Sequence, residues 1–306
     1  MNFELQLKSL FPNMDLRLRE PMKKHTSFRI GGDARIMAFP RDTEELSALL
    51  KAADGLALKP AILGAGTNVL APDDGIDNLV ICLKDCLGGM EQLDDTHIRV
   101  AAGVTMTRAA MFAAKLGLSG LEFSHGIPGS VGGGIYMNAG AYGGEMKDVC
   151  ESVELLNAKG ERIVCSNEEM HFSYRNSGIQ GKDGLIVVSA VFSLTPRDPE
   201  EIKSKMKELM GKRSASQPLE LPSAGSAFKR PQTGYAAALI DEAGLRGFQV
   251  GGAAVSQKHT GFAVNLGEAT AEDVKSLLKA VSDRVFEHSG IRLEPEIRIL
   301  DQYGHI

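Results

Sequence analysis

The chain has 306 residues, 43% of them hydrophobic and 24% charged, with a formal net charge of −5 and a pI near 5.9. That length allows two or three domains with a substantial core, and the mildly acidic balance argues against a surface built to coat nucleic acid or anionic membrane. No apolar run approaches the roughly 20 residues of a membrane span, the opening residues lack a signal-peptide core, and four cysteines are too few for a disulfide scaffold, so a reduced, cytoplasmic protein is expected.

In chain order, a strand is predicted over 34–39, then a helix over 42–54 that starts at a capping-type Asp42 or Thr43. A short strand at 59–68 feeds a glycine turn, and another strand covers 78–83. Residues 97–117 read as strand, turn and a helix from about Thr105 to Leu116 closed by Gly117. A β-hairpin over 151–166 turns at Lys159-Gly160, and the mostly apolar 184–194 reads as a strand buried on both faces. "DPEEIKSKMKELMGKRSAS" is an amphipathic helix whose acidic start and basic end suit its dipole. Composition then shifts to an irregular, proline-bearing stretch, with a domain boundary near Ser216. Beyond it come a helix at "GYAAALIDEAG", strands at "GAAVS" and "GFAVNLG", a helix at "TAEDVKSLLKAVSDRVFEHSG" and a last strand at "IRLEPEIRIL". No repeat and no regular βαβ rhythm appear, so the class is α+β.

Several strings carry chemistry beside a plain structural reading. "GIPGSVGGGIYMNAGAYGGE" (126–145) holds eight glycines among twenty residues. Interleaved Ile127, Val131, Ile135, Tyr136 and Tyr142 argue against a linker, which leaves a ligand lying on bare peptide groups. "GAGTNVL" (64–70) follows a strand and suits a pyrophosphate, and equally a glycine turn; it matches neither the Rossmann nor the Walker pattern. In "FSYRNSG", Arg175 could clamp a carboxylate, or be a surface arginine. In "PSAGSAFKRP", Ser226 lies in a loop with no histidine base nearby in sequence, so it reads as a turn serine or a proton relay. Glu294, Glu296 and Arg298 would share one strand face. "CLKDC" holds Cys82 and Cys86 with no histidine pair, which points to buried or idle thiols rather than a metal.

Seven strings, in order along nearly the whole chain, closely resemble the UDP-N-acetylenolpyruvoylglucosamine reductases, the MurB flavoenzymes of peptidoglycan synthesis: "HTSFRIGG", "ILGAGTNVL", "GIPGSVGGGIYMNAGAYGGE", "YRNS", "GSAFKRP", "LIDEAGLRGFQVGGAAVS" and "LEPEIRIL". The resemblance implies FAD in a two-subdomain fold like that of vanillyl-alcohol oxidase, closed by a C-terminal α+β substrate domain. The corresponding divisions are 1–84, with 292–306 returning to it, 85–215 and 216–291. It implies that NADPH reduces FAD, and that UDP-N-acetylglucosamine enolpyruvate then receives a hydride on its vinyl carbon to give UDP-N-acetylmuramate.

Residue by residue, the resemblance implies that Arg175 and Glu296 stabilise the enol intermediate and that Ser226 protonates it; Glu296 donates a hydrogen bond only if its pKa is raised. Cofactor contacts are implied for Gly64, Ala65, Gly66, Thr67, Asn68, Gly126, Ile127, Pro128, Gly129, Ser130, Gly133, Asn138, Gly140 and Arg298, and substrate contacts for Tyr142, Arg213 and Arg230, with no metal and no obligate protein partner. The short segment between Arg175 and Ser226 lacks the loop that, in the family's longer branch, brings a tyrosine over the substrate. The alternatives are another FAD oxidase or dehydrogenase of this fold, which would not need that catalytic trio, and a non-catalytic UDP-sugar-binding protein, which would bind no flavin.

Overall fold

A computed structural model describes residues 3–182 and 184–306. Its contacts divide it into two compact units: residues 1–18, 36–65 and 79–213 form the first, and 19–35, 66–78 and 214–306 the second.

In the first unit, helix α1 (Phe3–Leu10) precedes α2 (Thr43–Gly55). Asp42 caps α2 by accepting a bond from the Glu45 amide, and Leu46, Leu49, Leu50 and Ala53 bury its inner face. A four-stranded sheet contributes to this unit residues 15–18, 36–39, 79–82 and Ala61–Leu63, in that strand order, the last pair parallel. An antiparallel sheet of five strands follows, in the order Arg162–Ser166, Cys150–Leu156, Ile186–Ser193, His97–Ala101, Met90–Gln92. Its central strand, Ile186–Ser193, is buried over all but its last residues, as its apolar run requires. Helix α3 (Met106–Lys115) is capped by Thr105, α4 (Val131–Tyr136) by Ser130, and α5 (Pro199–Ser216) has Glu200 and Glu201 in its first turn. Gly117 follows α3 at φ +71°, the left-handed stop that glycine adopts without strain.

The second unit has its own core, built from Phe28, Ile30, Leu70, Ile240, Val274, Leu277 and Val281 among others. An antiparallel sheet ordered Ser223–Ser226, Phe262–Asn265, Ala253–Val255, Gln249–Val250 accompanies α6 (Ala236–Glu242) and α7 (Ala271–Ser289). The start of α7 is capped twice: by the Thr270–Asp273 box, and by Asp73, whose carboxylate accepts from the amides of Ala271 (2.8 Å) and Glu272 (3.3 Å). Helices and strands mix as the α+β class expects. The expected strand over 291–300 shrinks to Arg298–Ile299, paired in parallel with Val69–Leu70. Pro295 has no N–H, and the chain changes partner there: Glu296 N donates to Ala227 O and Arg298 N to Asn68 O.

Candidate active site

The first unit carries the glycine stretch. Ser130, fully buried, accepts a bond from the Gly133 amide at 3.4 Å and so starts α4. Gly64 lies against it, since a Cβ there would stand 2.7 Å from Ser130 Oγ. Most of the other glycines answer to the protein itself. An added Cβ would meet Met210 Sδ at 2.8 Å from Gly126, Ala102 Cβ at 2.8 Å from Gly132 and Met106 Sδ at 2.8 Å from Gly134. From Gly140 it would meet Gly144 O at 2.6 Å, and from Gly144 the Phe123 ring at 2.7 Å. Close packing of α4 and its flanks thus accounts for these five of the eight glycines in the run. Gly133 differs. It is exposed, and a Cβ there would touch Ser130 Oγ at an ordinary 3.6 Å. Gly133 is open in this way beside Gly64 and half-buried Ala65, and Gly143, at the following hairpin, also meets nothing within 4 Å. Within the same segment Ile127 packs on the core, Pro128 is exposed and Gly129 O accepts from Met106 N.

Two side chains are presented at turn corners. Gly140–Ala141 and Gly144–Glu145 pair antiparallel around a two-residue loop, Tyr142-Gly143, with φ +55° and +89°. Two positive φ values define the hairpin turn that twists with its strands, and they project Tyr142 outward, where it is exposed. The second corner is Ser173–Asn176, closed by reciprocal bonds (Ser173 N to Asn176 O, 3.0 Å; Asn176 N to Ser173 O, 3.1 Å). Arg175 occupies its third position at φ +54°, where glycine is usual, and its Nη2 donates to Gly140 O at 3.1 Å.

Asn138 is a correction. Expected at the cofactor, it is fully buried, and its amide is taken up by Glu145 Oε2, Ser173 O and Lys147 N. Its side chain pins the corner that carries Arg175 rather than reaching a ligand. Arg213, on α5, is buried, with its guanidinium 5.5 Å from the Tyr142 ring centroid. Burial pulls its pKa down, though an arginine remains charged. Next to it, His125 is held below its usual range by burial and then by the Arg213 charge, and its buried Nδ1 has no hydrogen-bond partner among the described residues.

In the second unit Ser226 is the exposed last residue of strand Ser223–Ser226, not a loop residue as expected; Phe262 stands opposite it across the sheet. The Ala227 carbonyl accepts from Glu296 N at 2.9 Å, and Lys229 N donates to Glu294 O at 2.8 Å. Two segments 70 positions apart in sequence thus run side by side, and Glu296 is brought next to the residue that follows Ser226. Asn68 fixes the far side: its Nδ2 donates to Glu296 O at 3.3 Å and its carbonyl accepts from Arg298 N at 2.9 Å. Gly66 (φ +64°) lies so close to His25 O that no Cβ fits, and Thr67 is half-buried beside it. Arg230 lies exposed over the Tyr235 ring, 4.3 Å from its centroid. Of the two thiols expected to be buried or idle, Cys82 is buried and Cys86 half-buried; Cys150 is buried too, and burial pushes it up to about 12.

Sequence reasoning passed over Gln180, whose amide bonds the Arg175 carbonyl, and over His125. Neither belongs to a motif with chemistry of its own; the signal for Gln180 was only its place five residues after Arg175 in a turn-rich stretch.

Comparison with known proteins bears on the family of the whole chain. The family described as "UDP-N-acetylenolpyruvoylglucosamine reductase, C-terminal domain" matches residues 217–300, and "FAD binding domain" matches 34–166. Proteins named UDP-N-acetylenolpyruvoylglucosamine reductase are 47% identical in Agathobacter rectalis (95% of this chain, 96% of the relative), 43% in Clostridioides difficile (97% of each) and 40% in Streptococcus pneumoniae (99% of each). A crystal structure of the MurB reductase from Thermus caldophilus is 35% identical with a TM-score of 0.77, over 94% of this chain and 98% of that one. With such identity along nearly the full length of relatives that share one name, the chain belongs to the UDP-N-acetylenolpyruvoylglucosamine reductase family.

Proposed function

We propose that the protein is an FAD-dependent, NADPH-using reductase that converts UDP-N-acetylglucosamine enolpyruvate to UDP-N-acetylmuramate for peptidoglycan precursor synthesis in the cytoplasm. The observation that carries this reading is the strand contact that sets Glu296 beside the Ser226 segment, through the Glu296 N to Ala227 O bond of 2.9 Å. The residues fit FAD: Gly133 leaves open the space a Cβ would fill, beside Gly64, and the match to an FAD-binding family spans both. When bound, FAD supplies the hydride, taken first from NADPH. The remaining steps belong to the chain. Addition of hydride to the vinyl carbon drives charge onto the substrate carboxylate. Arg175, with a guanidinium already fixed on Gly140 O, offers positive charge, and Glu296 in its protonated form donates a hydrogen bond to that carboxylate. The Ser226 hydroxyl, exposed at a strand end, gives its proton to the carbon that bears the carboxylate. Arg213 and Arg230 take the UDP phosphates, and Tyr142 holds the substrate from its hairpin tip.

The test is spectroscopic. Holoenzyme without oxygen is bleached by NADPH and regains its colour on adding the enolpyruvate. Ser226→Ala is bleached at the wild-type rate and recovers about 10²- to 10⁴-fold more slowly. Recovery at the wild-type rate removes Ser226 from the proton-donor role, and a wild-type protein that bleaches but never recovers removes the substrate.

A further inference from the structure

Arg175 is held in a backbone state it does not favour. At the third position of the Ser173–Asn176 turn its φ is +54°, a left-handed conformation that side chains with a Cβ resist and that persists only where the surroundings impose it. The surroundings that impose it are specific. The Arg175 carbonyl accepts from Gln180 Nε2 at 3.2 Å, and the same amide nitrogen donates to Tyr136 O at 2.6 Å. Tyr136 ends α4, so its carbonyl is among those a helix leaves unpaired, and Ser177 Oγ bonds it too, at 2.7 Å. Two carbonyl oxygens at one amide end can be satisfied only by its NH2 group, with one hydrogen for each, which fixes the orientation of the Gln180 side chain. The other end of Arg175 is tied to the same stretch, through Nη2 to Gly140 O. The arginine is thus strung between its guanidinium anchor at Gly140 and a backbone anchor that Gln180 supplies from the end of the glycine-rich helix.

We propose that Gln180 is a positioning residue for Arg175: it locks the left-handed corner so that the guanidinium meets the substrate carboxylate as charge develops there. The inference rests on the reading of Arg175 given under Proposed function. Gln180 Nε2 faces the Tyr136 and Arg175 carbonyls and the Met137 sulfur, and its effect reaches the chemistry through the Arg175 carbonyl. It should therefore act on the second half-reaction, in which the substrate is reduced, and leave the first, reduction by NADPH, alone.

The experiment uses holoenzyme and three variants: Gln180→Leu, which keeps the bulk and removes both donors; Gln180→Glu, which when ionised turns an acceptor toward two carbonyls and when protonated restores one donor; and Arg175→Lys. Flavin affinity, the rate of bleaching by NADPH and the rate of recovery with the enolpyruvate are measured from pH 6 to 9. Gln180→Leu is expected to keep FAD affinity and bleaching within about 2-fold of wild type and to slow recovery about 10- to 100-fold, chiefly in kcat, the scale of loss a misplaced catalytic group gives. Gln180→Glu is expected to be slowest at high pH and to regain rate as pH falls, with no matching change in Gln180→Leu. Combined with Arg175→Lys, Gln180→Leu is expected to add less than about 3-fold, because the two act on one interaction. Recovery of Gln180→Leu within about 2-fold of wild type, equal slowing of both half-reactions, or full additivity with Arg175→Lys would each overturn the proposal. If Gln180→Leu does not fold, the Glu variant decides: a ratio to wild type that does not vary with pH overturns it. Wild-type enzyme that does not recover at all with the enolpyruvate overturns the substrate reading instead.

Discussion

Tyr142 and Arg175 show the same device at the scale of a residue. Each is a large side chain at a turn corner with φ near +55°, where glycine or asparagine is usual. A turn corner projects its side chain clear of its neighbours, and the cost in backbone strain is carried by bonds on either side. For Tyr142 those are the paired glycine-containing strands, and the ring gains a contact with the buried Arg213 charge. Tyr142→Ala removes that ring and a proposed substrate contact. The expected outcome is a KM for the UDP substrate raised about tenfold, the loss of a contact worth about 1–2 kcal/mol, with flavin bleaching by NADPH unchanged. A KM within twofold of wild type would take Tyr142 out of the substrate site.

At the scale of an element, α4 separates packing glycines from the open one. Gly132→Ala drives a Cβ against the rigid Ala102 Cβ, so a loss of about 1–3 kcal/mol of stability is expected in urea unfolding of the flavin-free protein. Gly133→Ala, one residue on, meets nothing closer than 3.6 Å and gains helix propensity. The flavin-free protein should be as stable as wild type or more so, while FAD affinity drops in a fluorescence titration. If Gly133→Ala binds FAD with unchanged affinity, the open face belongs to something else. The start of α7 gives a second test. Asp73, some 200 residues away in sequence, caps the amides of Ala271 and Glu272, and Asp73→Ala should cost about 1 kcal/mol, with faster hydrogen exchange confined to the first turn of α7.

At the scale of the whole molecule, two half-buried histidines make the fold more sensitive to acid. Burial lowers both His125 and His259, with the Arg213 charge adding at the first and Arg246 at the second. Above pH 6.5 both are neutral, folded or unfolded, and contribute no slope. Below it the unfolded chain takes up protons that the folded one resists, so stability falls as pH falls. His97 works the other way: Asp94 and Glu151 raise it, so its contribution is present at low pH and lost as pH rises through its folded pKa. Depressed carboxylates such as Asp273, held down by the amides of Thr270 and Gly252, act only below their ordinary 3.8. Melting temperature should therefore fall between pH 6.5 and 5.5, and fall less in a His125→Gln, His259→Gln double variant. Equal falls in both proteins would show that these two rings do not carry the slope.

The sequence alone determined what depends on local order. Capping residues and apolar spacing marked α2 and the end of α3, apolar spacing marked α7, an unbroken apolar run marked the buried strand Ile186–Ser193, and a row of ordered strings marked the family, from which the roles proposed for Arg175, Ser226 and Glu296 are taken. These are short-range properties, written in residues that lie next to one another or one helical turn apart. The tertiary structure decided what depends on neighbours distant in the chain. It moved Ser226 from a loop to a strand end, broke the expected last strand at Pro295 because its partners change from Ala227 to Asn68, and gave most glycines of the long run to packing against Ala102, Met106 and Phe123. It also withdrew the Asn138 side chain from the cofactor and brought in Gln180. A glycine demanded by a ligand and one demanded by a methionine look the same in a string of letters, since both record only that no Cβ fits. What occupies the missing space is fixed by segments that folding alone brings together.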